Sequence, residues 1–300
     1  MGLDNLSQKI KRGIFDFLIR SLRKSASLKI KTALLTVGKI SYLDNNDHFK
    51  KKKDTLVLIH GLGADKDTWL QLAKYLTKSY RIIALDLPGH GLSTQDFSIY
   101  YSVELQAQCI NELLSNLKIQ QVHIIGSSMG GAIATKLTYM HPEIVSSLIL
   151  IDSYGVFKKP SYLSKLADEL GYNPMLEINT KDDYKKMLSL AMIKPPFIPA
   201  FMLDILTEDM KERVELNKKI FRDTDADSDQ KPILSKIKKP SLVVWGAQDK
   251  ILHVDNAEVF NKKLQNCSKV IIEEAGHVPM VEKPKVTAKC ITTFLHGIGL

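Results

Sequence analysis

The apolar positions of the chain follow two rhythms. Short runs of roughly four to eight apolar residues, such as 56–59 and 148–151, alternate with longer stretches in which apolar residues recur every three or four positions. The first rhythm suits strands buried on both faces and the second suits amphipathic helices, so the alternation predicts a mostly parallel sheet covered by helices on both sides. Eight strands are predicted, over 33–37, 39–43, 55–60, 81–86, 122–125, 145–151, 242–245 and 269–273. The first two precede any crossover helix and are followed by a charged link at 45–53, so the sheet is expected to start antiparallel. Helices are predicted over 68–78, 101–117, 129–140, 255–264 and 281–296.

The rhythm breaks between 153 and 239. That stretch has no clear strand, carries a proline-rich turn at 194–199, and shows helical spacing at 161–170, 181–191 and 201–221, which predicts a helical cap inserted after the sixth strand. Three parts follow: an N-terminal segment at 1–31, a core at 32–152 and 240–300, and the cap at 153–239. The acidic run 223–229 fails as a calcium loop, because Ser228 replaces the sixth-position glycine and Leu234 the twelfth-position glutamate; it is read as a solvated loop.

Charge changes the picture mainly at the front. The chain carries a net charge of +9, and residues 1–31 hold eight basic residues against Asp4 and Asp16. A basic end on a near-neutral body argues against a nucleic-acid groove. In the same segment Leu3, Leu6, Ile10, Ile14, Phe17, Leu18 and Leu22 follow one helical face, so the prediction is a basic amphipathic helix. Asp16 interrupts the most apolar stretch and no small-residue cleavage site follows, which excludes a signal peptide; no run of about 18 apolar residues exists. Leu6 stands where a myristoylation signal needs Ser or Thr. Two readings stay open, a helix lying in an anionic membrane surface and a helix covering the enzyme's own edge. Every candidate site residue lies beyond position 59, so the segment is expected to be dispensable for turnover of a small soluble ester. Cys109, Cys267 and Cys290 are far apart and without a CxxC pair, which reads as reduced thiols and fits a cytoplasmic protein, with the N-terminal helix peripheral on a membrane if the first reading holds.

Candidate chemistry centres on Gly126-Ser127-Ser128-Met129-Gly130, which follows an apolar run and opens a helical pattern. This strand–turn–helix context is what a nucleophile elbow requires, with glycines letting strand and helix approach and the serine hydroxyl exposed at the sheet's carboxyl end. A serine nucleophile needs a base held by a carboxylate. His277 follows the last strand in a Gly276-His277 loop, and Asp249 follows the strand before it; Asp152, ending the sixth strand, is the rival acid. His123, His141 and His296 sit in or at the end of regular elements, and His48 lies in a charged loop. Asp86 ends a strand ahead of the serine and is expected to bond the amides of its own turn. The oxyanion needs two N–H donors: Met129 at the helix start, and Leu62 in the loop His60-Gly61-Leu62-Gly63, where His60 is expected to brace the loop and Gly61 and Gly63 to let backbone approach substrate. No cluster has metal-ligand spacing.

From Thr55 to Phe294 the chain resembles the α/β-hydrolase superfamily, through the His-Gly loop, Asp86-Leu87-Pro88-Gly89-His90-Gly91, the Ser-Met-Gly-Gly elbow, Trp245-Gly246 with Asp249, and Gly276-His277, in that order. Within it, residues 60–69 and the elbow look like bacterial lipases and esterases related to monoacylglycerol lipases; Ser127 replaces the Asn or His common before the nucleophile. The resemblance implies an α/β-hydrolase fold, a cap over an acyl pocket, Ser128, Asp249 and His277 as a triad, and no cofactor. The expected function is hydrolysis of carboxylic esters, short to medium acyl esters or monoacylglycerols, with an anionic membrane surface as a further partner. Met187, Leu188, Met192, Ile193, Phe197, Ile198, Phe201 and Met202 are candidates to enclose the acyl chain. The alternatives are carbon–carbon hydrolysis of a dienoate, for which the cap offers only Arg213 and Arg222, and a non-catalytic binding protein.

Overall fold

The computed structural model describes residues 2–46 and 54–299, with side chains from position 8 onward. Most of the charged link at 45–53, with His48, and the side chains of Leu3 and Leu6 lie outside the described residues.

Eight strands form one sheet in the order β1-β2-β4-β3-β5-β6-β7-β8. They are β1 (Lys29–Leu35), β2 (Gly38–Asp44), β3 (Thr55–Ile59), β4 (Arg81–Leu85), β5 (Val122–Ser127), β6 (Val145–Ile151), β7 (Ser241–Gly246) and β8 (Cys267–Ile272). The first two pair antiparallel, β2 joins β4 antiparallel, and all later pairings are parallel. The helices are α1 (Gly2–Ser25), α2 (Leu70–Ala73), α3 (Val103–Asn116), α4 (Met129–Met140), α5 (Tyr162–Leu170), α6 (Lys181–Ala191), α7 (Ala200–Lys211), α8 (Val214–Asp225), α9 (Lys231–Leu234), α10 (Asn256–Lys263), α11 (Pro279–Glu282) and α12 (Pro284–Gly297). Alternate residues of each central strand feed two cores, one shared with α3, α4 and α10 and the other with α2 and α12.

Some elements differ from the sequence expectation for local reasons. The helix expected at 68–78 shrinks to a 3-10 turn at Lys66–Trp69 followed by α2. Part of the cause is Asn45, whose side chain donates to the carbonyls of Thr77 and Tyr80 and accepts from the N–H of Ile82, so the segment ends on β2 rather than continuing as helix. The pattern at 201–221 divides into α7 and α8 around Arg213. Pro284 separates α11 from α12. The helix of the N-terminal segment ends at Ser25, and β1 begins at Lys29, earlier than the predicted strand.

Between β6 and β7 the chain leaves the sheet for five helices, α5 to α9. The acidic run at their end is not a free solvated loop. Asp223 accepts from the N–H of Tyr101, Asp227 from the N–H of Val103 and Asp225 from the Tyr154 hydroxyl, so two carboxylates sit at the N-terminal end of α3, where amides lack intrahelical acceptors. A low local hydropathy concealed a clasp between insertion and core.

The N-terminal helix has an inverted arrangement. At about 100° per residue, Ile10, Ile14, Phe17 and Leu18 form one stripe, Arg12, Ile19 and Arg23 point to the other side, and Phe15 and Leu22 lie at the border between them. The apolar stripe faces outward: Ile10, Ile14 and Phe17 are 55%, 47% and 65% exposed. The packed side is held by two forked ion pairs, Arg12 to Asp209 of α7 at 2.6 and 2.7 Å, and Arg23 to Asp67 beside the loop after β3. Among the described residues no helix is long and apolar enough to cross a membrane.

Under that loop lies a buried ion pair that the sequence did not advertise. Lys66 and Asp86 are both buried, 2.8 Å apart, and Asp86 also accepts from the N–H groups of Lys66 and Leu92. Removing one partner strands the other charge without water. Lys66→Met is therefore expected to lower unfolding free energy by about 3–5 kcal/mol, read by urea denaturation; a cost under about 1 kcal/mol would contradict this account.

Candidate active site

The turn after β5 concentrates the strain of the fold. Ser128 has φ +54° and ψ −123°, a conformation that side-chain-bearing residues rarely adopt, and α4 starts at the next residue. The turn is possible because backbones meet where no Cβ exists: one added to Gly130 would lie 2.2 Å from the Ile59 carbonyl oxygen, and one added to Gly126 would lie 2.1 Å from that of Gly130. The Ser128 N–H donates to Ile151 at 3.0 Å, and its carbonyl accepts from Gly131 and Tyr154. The serine is thus fixed from β6 as well as from its own turn. Its neighbour Ser127 is buried with its hydroxyl toward the Met280 sulfur.

His277 sits in the loop between β8 and α11, and its Nδ1 lies 2.8 Å from Asp249 Oδ2. The carboxylate is fully buried, and its Oδ1 accepts from the N–H groups of Ile251 and Leu252 at 2.8 and 3.0 Å. With Nδ1–H donating to Asp249, Nε2 keeps its lone pair, the state a base needs. The rival acid Asp152 is buried at the end of β6, with Oδ1 accepting from the Gly246 N–H at 2.9 Å. Sequence reasoning missed Glu282, which accepts from the N–H of Gly276 at 2.6 Å and from those of Ile193 and Lys194. Together with the bond from His277 N–H to the Ala191 carbonyl, it ties the histidine loop to the end of α6. Nothing in the local pattern around Glu282 marks it, because its partners come from the insertion.

The loop after β3 lies against the elbow, since a Cβ on Gly61 would be 3.0 Å from that of Ser128. His60 is fully buried and bridges the loop to the next turn: Nδ1 bonds the Gly61 carbonyl at 2.8 Å and Nε2 accepts from the Leu87 N–H at 3.1 Å. Burial lowers its pKa, so it stays neutral and acts as a brace. Gly63, at φ +68°, packs under Met210 and Asn217 of the insertion. The N–H of Leu62 has no acceptor among the described residues, and that of Met129 opens α4, where amides have none within the helix. His123 bonds Ser147 inside the sheet, and His141 and His296 lie outside the cavity.

Ser128, Met129, His277, Gly61, Leu62 and Gly63 line one cavity of about 1080 Å³. This is at the top of the roughly 300–1,000 Å³ usual for small-molecule sites. Met187, Leu188, Met192, Leu206 and Met210 supply apolar wall from the insertion, and Phe15 supplies wall from α1. Of the other residues expected to enclose a chain, Phe197 is 91% exposed, and Ile193, Ile198, Phe201 and Met202 do not line the cavity either. Arg213 lines it, Arg222 does not. The N-terminal segment, expected to be dispensable for turnover of a small soluble ester, supplies part of the cavity wall through Phe15.

A family model described as alpha/beta hydrolase fold matches residues 54–184 and 188–284. The chain belongs to the alpha/beta hydrolase fold family. Lipase 1 of Psychrobacter immobilis is 33% identical over 275 residues, covering 90% of this chain and 85% of that lipase. A human monoacylglycerol lipase is 28% identical, over 82% of this chain and 76% of its own length. Among solved structures, a bacterial membrane phospholipase A superposes with a TM-score of 0.92 at 35% identity, covering 96% of this chain and 92% of that one. By these relationships this alpha/beta hydrolase is a carboxylic ester hydrolase.

Acid groups crowd the cavity rim. Burial, with the charges of Asp67 and Asp86, pushes Asp65 up to about 6. A carboxyl whose pKa is higher folded than unfolded favours the folded state when protonated, and that advantage is lost as pH rises through about 6. Asp65→Asn keeps an acceptor for the Asp67 N–H that Asp65 now caps at 2.8 Å. It should raise the melting temperature at pH 7.5 and leave it nearly unchanged at pH 4. Equal gains at both pH values would refute the burial of this charge as the cause.

Proposed function

We propose that this hydrolase cleaves acyl esters of lipid alcohols, monoacylglycerols foremost, at the surface of an anionic membrane. Ser128 attacks the ester carbonyl as His277 Nε2 takes its proton, and Asp249 holds the imidazole in the required tautomer and stabilises the imidazolium. The N–H groups of Leu62 and Met129 receive the oxyanion, a contribution of roughly 3–4 kcal/mol for one donor. His277 then returns the proton to the leaving alcohol, and water repeats the sequence on the acyl-enzyme. No step requires a cofactor. Helices α5 to α9 act as the cap at 153–239, closing an apolar chamber over the serine. The observation that carries the reading is the strained Ser128 in the same largely apolar cavity as His277, whose other ring nitrogen is paired with Asp249 behind it. Relatives named as a monoacylglycerol lipase and a phospholipase A support acyl-glycerol lipids as the substrate class.

The first test is substitution. Ser128→Ala should abolish both hydrolysis of p-nitrophenyl butyrate and labelling by a fluorophosphonate, while the melting temperature stays near that of the wild type. His277→Ala and Asp249→Asn should each cost several orders of magnitude, because the triad works as a unit. Persistent labelling of the Ser128 variant would move the nucleophile elsewhere.

The membrane part rests on the outward apolar stripe of α1, flanked by Lys9, Lys11, Arg20 and Lys24. Each basic side chain near anionic lipid contributes about 1 kcal/mol, screened by salt, and the stripe adds a salt-insensitive share. The double variant Ile14→Glu, Phe17→Glu should stop co-sedimentation with anionic liposomes and leave soluble-ester turnover unchanged. Deleting α1 entirely should also impair turnover, since Phe15, Arg12 and Arg23 hold cavity wall and loop. Undiminished sedimentation of the double variant would refute the docking face.

A further inference from the structure

Asp249 does not stand alone behind His277. Asp152 ends β6, on the strand adjacent to β7, and is wholly buried. Its backbone is at φ +43°, a strained setting for a side-chain-bearing residue, and its N–H donates to the Val244 carbonyl at 3.0 Å. Oδ1 accepts from the Gly246 N–H at 2.9 Å. Oδ2 is buried with no partner among the described residues. Atoms of Asp152, Asp249 and His277 lie within 4.8 Å of one another.

Two carboxylates this close and this dry do not both ionise. Asp249 already accepts from three donors, Ile251 and Leu252 N–H on Oδ1 and His277 on Oδ2, which leaves one acceptor site on Oδ2. It is therefore the ionised member, and the orphan oxygen of Asp152 is where the shared proton belongs. We propose that Asp152 is a neutral carboxylic acid that donates a hydrogen bond toward Asp249 and thereby holds the carboxylate that orients His277. It is a positioning residue, touching neither substrate nor Ser128 chemistry directly.

The charges around it agree. Burial, and next the negative charge of Asp249 after β7, raise the Asp152 carboxyl well above the ordinary carboxylate range, and Glu282 of α11 pushes the same way. Only the Gly246 N–H at the end of β7 opposes them.

This inference rests on Asp249 and His277 as acid and base, so its test includes a readout that does not depend on turnover. Infrared spectra of the full chain at pH 7.5 should show the carbonyl stretch of one protonated carboxyl, present in the wild type and in Asp65→Asn but absent in Asp152→Asn. Asp152→Asn keeps an acceptor for Gly246 and a donor for Asp249, so kcat should stay within about threefold of wild type with an unchanged acid limb of the pH profile. Asp152→Leu, branched alike at Cγ but without a donor, should lose about 10- to 100-fold in kcat with KM unchanged, the scale of one hydrogen bond to a charged group. Its acid limb should also move to higher pH as Asp249 loses its donor. Absence of the protonated band, or an Asp152→Leu enzyme with wild-type kcat and pH profile, would overturn the proposal. So would a loss of activity on chelation, since a cation would then occupy the gap between the two carboxyls. If Ser128→Ala retained fluorophosphonate labelling, the triad would fall while the infrared band still reported on the carboxyl pair.

Discussion

The candidate site of this protein depends on a crossing of backbones at the carboxyl ends of β3 and β5. The strained Ser128 can exist only because Gly130 brings α4 against the Ile59 carbonyl and Gly126 brings β5 against the turn. The same contact places the loop after β3 beside the serine. A strained serine and a nearby backbone N–H therefore come from one steric solution, which is the preorganisation that the proposed chemistry uses. The strain persists because the Ser128 backbone is bonded on both sides, to β6 through Ile151 and to the following turn through Tyr154.

Around that crossing, the parts are joined by charged side chains that accept or donate more than one bond. Glu282 gathers amides from the histidine loop and from the end of α6, so the wall of the cavity and the position of His277 are coupled. Asp223 and Asp227 clasp the far end of the insertion to α3. Arg12 and Arg23 fasten α1 across the rim, one to the insertion and one to the core. Each contact uses a forked or multiply bonded group, which fixes direction as well as distance. An insertion anchored at both ends and roofed by α1 encloses apolar volume without needing a large apolar interface of its own.

The apolar stripe of α1 has a different logic. A helix that served only to cover the enzyme would turn its Ile, Leu and Phe residues inward, and here the packed side is carried by Phe15, Ile19 and two paired arginines. Burial energy at this element is thus left unspent within the fold. The packed side covers the enzyme's own rim, so the membrane reading rests on the opposite, exposed side of the same helix.

Strand count, the antiparallel start, the Gly-x-Ser-x-Gly turn and the family were legible in the chain alone, because each is written in local signals: apolar runs, two strands ahead of any crossover helix, and glycines flanking a serine. It also set apart Asp249 and His277 by their place after successive strands, and the structure brings them to 2.8 Å. What it left undecided came from partners distant in the chain. The acidic run at 223–229 looks hydrophilic until α3 supplies its donors, Glu282 is featureless until α6 arrives, and Lys66 reads as a surface lysine until Asp86 is found beneath it. The orientation of α1 was equally invisible, since periodicity defines a stripe but not which way it faces. A polar side chain's role depends on which groups meet its hydrogen bonds, and those partners come together in the assembled fold.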